Sequence, residues 1–203
     1  MRITGGVARG ITLVIPARGE IRPTTDAVRE AVFSSLGDLV VGARVFDAFA
    51  GTGAYALEAL SRGAEFAYLA DKNPHACEAQ RKNFASVVKS ILSRGKPAPT
   101  AKFLNLDLLK PQSVATTTVA RANLIFCDPP WVLWSEQSEK ISKLVEWLTT
   151  VVATNAGSTR LILESPAATV PPTPEGWELV SRIFKRKGND SPMATILKRL
   201  PAA

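Results

Sequence analysis

Residues 45–53 read Val-Phe-Asp-Ala-Phe-Ala-Gly-Thr-Gly and run straight into Ala54-Tyr55-Ala56-Leu57-Glu58-Ala59-Leu60. A short apolar run, closed by glycines and opening directly into a helical stretch, is the junction of a strand with a crossover helix. Glycine there lets the backbone turn sharply and approach a ligand with no side chain between them. The alternation continues downstream. Apolar runs stand at Val45–Phe49, Phe66–Ala70, Lys102–Leu106, Leu124–Cys127 and Leu161–Leu163. Helical stretches intervene at about Ala54–Arg62, Pro74–Val88 and Ser138–Leu148, with a weaker candidate at Pro111–Thr117. Asn73 and Pro74 make a cap and first helical position, and Ile141, Leu144, Val145 and Leu148 fall on one helical face. Strands alternating with helices predict an α/β fold, a parallel sheet with right-handed crossovers covered on both faces. The pattern breaks at the end, where Trp177–Phe184 and Met193–Leu197 alternate like strands around Lys187-Gly188-Asn189-Asp190 and predict a closing antiparallel hairpin.

Upstream, Arg2–Thr4 and Ile11–Ile15 flank Gly5-Gly6 and Gly10 and read as a short hairpin. Thr24-Thr25-Asp26 then offers cap side chains to a helix with Val28, Val32, Phe33 and Leu36 at helical spacing. The expected organisation is one domain over 1–203, with an N-terminal extension at 1–40 and a Rossmann-like core at 41–203. The Pro-rich stretch Ala167–Pro174 reads as a loop within it. With 46% hydrophobic and 21% charged residues, the 203-residue chain can bury a core, which excludes disorder. It shows no basic-plus-apolar leader at Met1–Pro16 and no apolar run of membrane-spanning length, so a cytoplasmic protein is expected. Cys77 and Cys127 have no Cys or His at metal-ligand spacing, which predicts two buried thiols and no metal. The net charge of +7 is uneven: residues 81–110 carry +6 and 182–203 carry +5, while 37–80 and 111–181 are each −3. Acidic chemistry-bearing segments between basic ones suggest a polyanion held at the edges, although solvated faces would give the same pattern.

In an open parallel sheet, ligands bind beyond the carboxyl ends of the strands. Asp71 follows the second run, 20 residues after Gly51, where a carboxylate can accept both hydroxyls of a ribose. Asp107 follows the third, placed to accept from an adenine amino group. Gly51-Thr52-Gly53-Ala54-Tyr55-Ala56 also fits the G-x-G-x-x-A pattern of nicotinamide enzymes. The fourth run favours another chemistry, because it ends in Asp128-Pro129-Pro130-Trp131. An exocyclic amino nitrogen is conjugated with its ring, so its lone pair must be drawn out of conjugation before it can attack a methyl carbon. Two acceptors aimed at its N–H bonds would do this. Asp128 supplies a carboxylate, Pro129 a carbonyl on a restrained backbone, and Trp131 a stacking face.

Asp47–Gly53, Leu57-Glu58-Ala59-Leu60-Ser61-Arg62-Gly63-Ala64 and Asp128-Pro129-Pro130 together resemble the class I methyltransferases that use S-adenosylmethionine. Gly5-Gly6, Arg9-Gly10, Arg22-Pro23-Thr24-Thr25-Asp26, Val28-Arg29-Glu30 and Phe33 resemble one branch, the RsmD family of 16S rRNA guanine-N2 methyltransferases. The likeness runs from Arg2 to about Arg199. It implies a seven-stranded sheet with an antiparallel last hairpin, a monomer, and methylation of one guanine in small-subunit rRNA, with the particle a possible substrate form. It assigns catalysis to Asp128, Pro129, Pro130 and Trp131. Cofactor contacts are assigned to Asp47, Phe49, Ala50, Gly51, Gly53, Asp71, Lys72, Asp107, Leu108 and Asp128. Phosphate contacts are expected at Arg9, Arg22, Thr24 and Arg29 in the extension, and at Arg182, Lys185 and Arg186 on the sheet edge; Arg22 and Arg29 could equally pair with acids such as Glu30. Trp131 stands where the family usually has Tyr or Phe, and Asp71 where it usually has Glu. The segment Lys89–Thr100 exceeds the family's need and reads as an RNA-contacting loop or, in preference, a solvated insertion, and His75, the only histidine, as solvent-facing. Methylation of an adenine or a glutamine amide, or a non-catalytic RNA-binding assembly factor, are the alternatives.

Overall fold

Each apolar run becomes a strand of one seven-stranded sheet in the computed structural model, which describes residues 1–16, 26–110, 119–152, 158–184 and 191–201. In chain order the elements are α1 (Asp26–Leu36), a 3-10 turn (Gly37–Val40), β1 (Arg44–Ala48), α2 (Ala54–Ser61), β2 (Phe66–Asp71), α3 (Pro74–Ser93) and β3 (Thr100–Asn105). They continue with β4 (Leu124–Cys127), α4 (Trp131–Glu136), α5 (Ser138–Val151), β5 (Arg160–Pro166), β6 (Trp177–Phe184) and β7 (Pro192–Arg199). The strand order is β3-β2-β1-β4-β5-β7-β6, with β1 to β5 parallel and β7 antiparallel to both neighbours. The order reverses between β1 and β4, so the carboxyl ends of these two strands border the crevice in which such sheets hold ligands.

β1 and β4 are buried on both sides, which is why their sequences are continuous apolar runs and not alternating ones. Phe126, Leu57, Leu69, Val32 and Phe33 join the core on the side of α1, α2 and α3. Phe46, Ile125, Ile141, Leu148 and Leu161 fill the other side, beneath α5. The N-terminal hairpin is reduced to one bridge between Arg2 and Thr12, supported by Ile3 N donating to Ile11 O at 2.9 Å.

Two elements differ from the expectation. α3 runs to Ser93, not Val88, and takes in the start of the segment read as a solvated insertion. Its extra turn is held because Val87 and Ile91, four residues apart, are both buried in the core. The second difference is α4, a short helix directly after Pro130 in which only Leu133 and Trp134 are buried. The helical candidate Pro111–Thr117 and the caps Thr24 and Thr25 lie outside the described residues. No helix among the described residues is long and apolar enough to cross a membrane.

Candidate active site

The loop after β1 is built from strained and buried parts. Phe49 adopts φ 59°, Gly51 φ 53° and Gly53 φ 82°. Gly53 suits both its left-handed backbone and its crowding, since a Cβ there would lie 2.7 Å from Leu69 Cδ2. Gly53 is also the cap residue of α2 and has no side chain to offer the helix. Asp47 supplies the missing acceptor from inside β1: its Oδ2 accepts from Ala56 N at 3.0 Å. That side chain is 2% exposed, and burial first, then the nearby Asp128 and Asp71 carboxylates, push its carboxyl up to about 8 against the lowering effect of the Ala56 N–H. From α3, Gln80 Nε2 donates to Gly51 O and Asn83 Nδ2 to Thr52 O, each at 3.0 Å, so two buried amides hold the loop from beneath.

Asp71 and Asp107 occupy the expected strand ends. Asp71 Oδ2 accepts from Gly51 N and Oδ1 from Asn73 N, both at 2.8 Å. It therefore ties the ends of β1 and β2 together, and any ribose contact would use its remaining lone pairs. Asp107 Oδ1 accepts from Leu109 N at 3.1 Å, the same side-chain-to-residue-plus-two turn. Both carboxyls are partly exposed, Leu108 beside them is buried, and Lys72 is exposed. Acceptor-only groups flanking an apolar surface suit a nucleoside, whose hydroxyls and amino group are donors, and this set of acceptors fits an adenosyl cofactor.

β4 brings Asp128 to the adjoining end. Ala48 pairs in register with Cys127, and Asp128 N donates to Ala48 O at 3.3 Å. Pro130 (φ −49°, ψ 136°) turns the chain into α4, so Trp131 is the first helical residue and is half-buried. Below lies a layer that sequence reading missed. Tyr55 stacks on Phe126 at 4.6 Å and donates from its hydroxyl to Glu164 Oε2 at 3.0 Å. Burial, and then the carboxylates of Glu164 and Asp128, push that hydroxyl well above its usual value. Trp134 Nε1 donates to Glu164 O at 3.1 Å, fastening α4 to β5. The strand-end rule that singled out Asp71 and Asp107 would have found Glu164 at the fifth strand.

The expectations for RNA contacts divide. Arg29 requires a correction: its side chain is fully buried and pairs with Asp26 at 2.8 Å and Glu58 at 3.5 Å, and it also donates to Arg2 O. A guanidinium enclosed in this way is not available to phosphate, and its partners are not Glu30. Glu58 is equally enclosed and accepts from Thr4 N at 2.7 Å and Arg62 Nε at 2.8 Å, so the extension is bolted to α2. Gly5 and Gly6 lie against the end of that helix, where a Cβ on Gly6 would fall 2.1 Å from Ser61 O. Arg9 and Arg182, the latter on edge strand β6, are exposed. Arg22, Thr24, Lys185 and Arg186 lie outside the described residues. Cys77 and Cys127 are buried thiols whose acidity burial lowers, and His75 is exposed.

Residues 1–191 match the family model described as "Conserved hypothetical protein 95". The chain is 36% identical over 131 residues, 64% of its length, to the ribosomal RNA small subunit methyltransferase D of Escherichia coli K12. It spans 60% of that relative's length. To the Haemophilus influenzae protein of the same name it is 27% identical over 183 residues, covering 89% of the chain and 86% of the relative. Among solved structures, Escherichia coli yhhF superposes with a TM-score of 0.70 at 29% identity and 98% coverage of both chains. The magnesium protoporphyrin IX methyltransferase of Synechocystis with bound SAM has a TM-score of 0.58 at 16% identity, covering 88% and 86%, which is a likeness of fold. The chain belongs to the matched family, and the RsmD resemblance of its motifs stands.

Proposed function

We propose that this family member methylates the exocyclic N2 amino group of a guanine in small-subunit ribosomal RNA, with S-adenosylmethionine as methyl donor. The observation that carries the reading is the place of Asp128-Pro129-Pro130 at the carboxyl end of β4, next to the glycine loop of β1. The names of the Escherichia coli and Haemophilus relatives support rRNA as the substrate class.

The cofactor supplies an electrophilic methyl group on a sulfonium. The glycine loop, Asp71, Asp107 and Leu108 are the residues that would hold it. Asp128 and the Pro129 carbonyl accept the two N–H bonds of the amino group and draw its lone pair out of the ring plane. Trp131 provides a face for the base. Alignment of reactants supplies most of the acceleration, which for well-oriented partners is roughly 7–11 kcal/mol of barrier. The target is read most readily in a loop, where bases are already unstacked.

The test has two arms. Calorimetry should show binding of S-adenosylmethionine and S-adenosylhomocysteine but not NAD, and micromolar NAD binding without heat from S-adenosylmethionine would overturn the cofactor assignment. Mass spectrometry of rRNA incubated with enzyme should then show N2-methylguanosine. Methyladenosine there, or methyl transfer only to protein glutamine, would replace the substrate assignment, and cofactor binding with no transfer would favour a non-catalytic factor.

A further inference from the structure

The proposed chemistry makes no use of the carboxyl-terminal half of β5. Glu164 stands one residue beyond Leu163, which pairs in register with Cys127. It is therefore level with Asp128 on the next strand. Side chains level with one another on neighbouring strands share a face of the sheet, about 4.8 Å apart. Tyr55, which approaches from α2, feels both carboxylates. Glu164 is held at two points: Oε2 accepts from the Tyr55 hydroxyl at 3.0 Å, and its backbone carbonyl accepts from Trp134 of the helix that Asp128-Pro129-Pro130 opens. It is 3% exposed. A carboxylate has about four acceptor positions, of which the Tyr55 hydroxyl takes one.

Building on the reading that a guanine amino group accepts the methyl, we infer that Glu164 selects guanine by accepting a hydrogen bond from its ring N1–H while Asp128 accepts from the N2 amino group. These donors are neighbours on one edge of the base, as the two carboxylates are level on neighbouring strands. Adenine offers an amino donor beside a ring nitrogen lone pair. A buried carboxylate facing that lone pair meets repulsion in place of a charge-assisted bond, with little water to screen it. A site that hydrogen-bonds one donor rejects a base lacking it far more strongly than an apolar pocket rejects a misfit. The fixed and largely dehydrated state of Glu164 is what makes it selective, since no solvent has to reorganise when the right base arrives.

The experiment uses an rRNA fragment in which the mapped acceptor guanine is replaced by 2-aminopurine, which keeps the N2 amino group but carries a lone pair at N1. The wild-type enzyme should methylate guanine at least about 100-fold faster, by kcat/KM, than 2-aminopurine. Glu164→Gln, whose amide can donate to that lone pair, should shrink the ratio below about tenfold or invert it. An equal fall on both substrates would mean that Glu164 is only structural. Equal wild-type rates would mean that N1–H is not read, and either result overturns the inference. If wild-type enzyme methylates neither RNA, it is the guanine assignment that fails. Should the glutamine variant lose S-adenosylhomocysteine binding, Glu164→Asp decides: guanine turnover falls at least tenfold while 2-aminopurine turnover holds, and a parallel fall again overturns the inference.

Discussion

Asp47→Asn should stabilise the protein at neutral pH, and by more as the pH rises. The carboxyl is buried in the first strand and pushed from 3.8 to about 8. The folded protein therefore holds a proton that the unfolded chain gives up. A raised carboxyl contributes no penalty below pH 3.8, and stability is lost as pH climbs from there through about 8, above which both states are ionised and the slope vanishes. At about 1.4 kcal/mol per unit, the roughly three units between 3.8 and pH 7 amount to roughly 4 kcal/mol at most, the upper bound for a site that does not relax. Asparagine keeps the acceptor for Ala56 N and never ionises. Urea titrations at pH 5, 6, 7 and 8 would give the difference in unfolding free energy between variant and wild type. That difference should widen by about 1 kcal/mol per pH unit, and each kcal/mol should appear as roughly 2–4 °C in Tm. A difference that stays constant from pH 5 to 8 would refute the reasoning, because it would mean that the carboxyl is ionised throughout, held by the helix start at Ala56.

Asp128→Ala should lower kcat by roughly 10²- to 10⁴-fold while S-adenosylhomocysteine affinity, measured by calorimetry, changes less than twofold. Arg29→Met leaves Glu58 buried without one of its cations and should cost about 3 kcal/mol or more in a urea melt; the slope of RNA affinity against salt should not move, since the guanidinium is enclosed. Neutralising Arg9 and Arg182 together should flatten that slope by about 0.7 for each phosphate of single-stranded RNA left without its cation, and an unchanged slope would place the RNA on another face.

What could be read in the sequence was local. Leu124–Cys127 is bounded by Asn123 and Asp128-Pro129-Pro130, so its limits were plain, and the structure has the same strand. α4 was not legible, because six residues after a proline with two buried side chains show no helical period. Nor did any short-range pattern reveal that β7 inserts between β5 and β6, which is set by pairing across Ile162 and Ile196. The site shows the same division. The positions of Asp47, Asp71 and Asp107 follow from the strand-end rule, but their partners depend on loop curvature. Arg29 and Glu58 are 29 residues apart and meet only because α1 packs beside α2, so from sequence a phosphate contact and a pair with an acid stood equal, and the acid partner could not be named.

The carboxylates at the strand ends can be sorted by one local feature that the sequence does carry. Asp71 accepts from the N–H two residues on, at Asn73, and Asp107 from the N–H two residues on, at Leu109. Such turns bind the carboxylate to its own loop and make it a structural clasp. Asp128 is followed by Pro129 and Pro130, neither of which has an N–H. Neither proline can give it the residue-plus-two bond that clasps Asp71 and Asp107, and the two restrained φ angles fix the turn that carries it toward the incoming amine. Pro130→Ala tests this directly. It restores an N–H at the position that clasps Asp71 and Asp107 in their turns, and helix α4 can still begin at Trp131. The expected result is a fall of about tenfold in kcat, as the carboxylate divides its time between its own backbone and the substrate. S-adenosylhomocysteine affinity should be unchanged, and stability should drop only by the roughly 0.4–1 kcal/mol that a freer unfolded chain accounts for. Unaltered kcat would show that Asp128 is held by something other than the missing N–H, and that the second proline shapes the turn without protecting the acid.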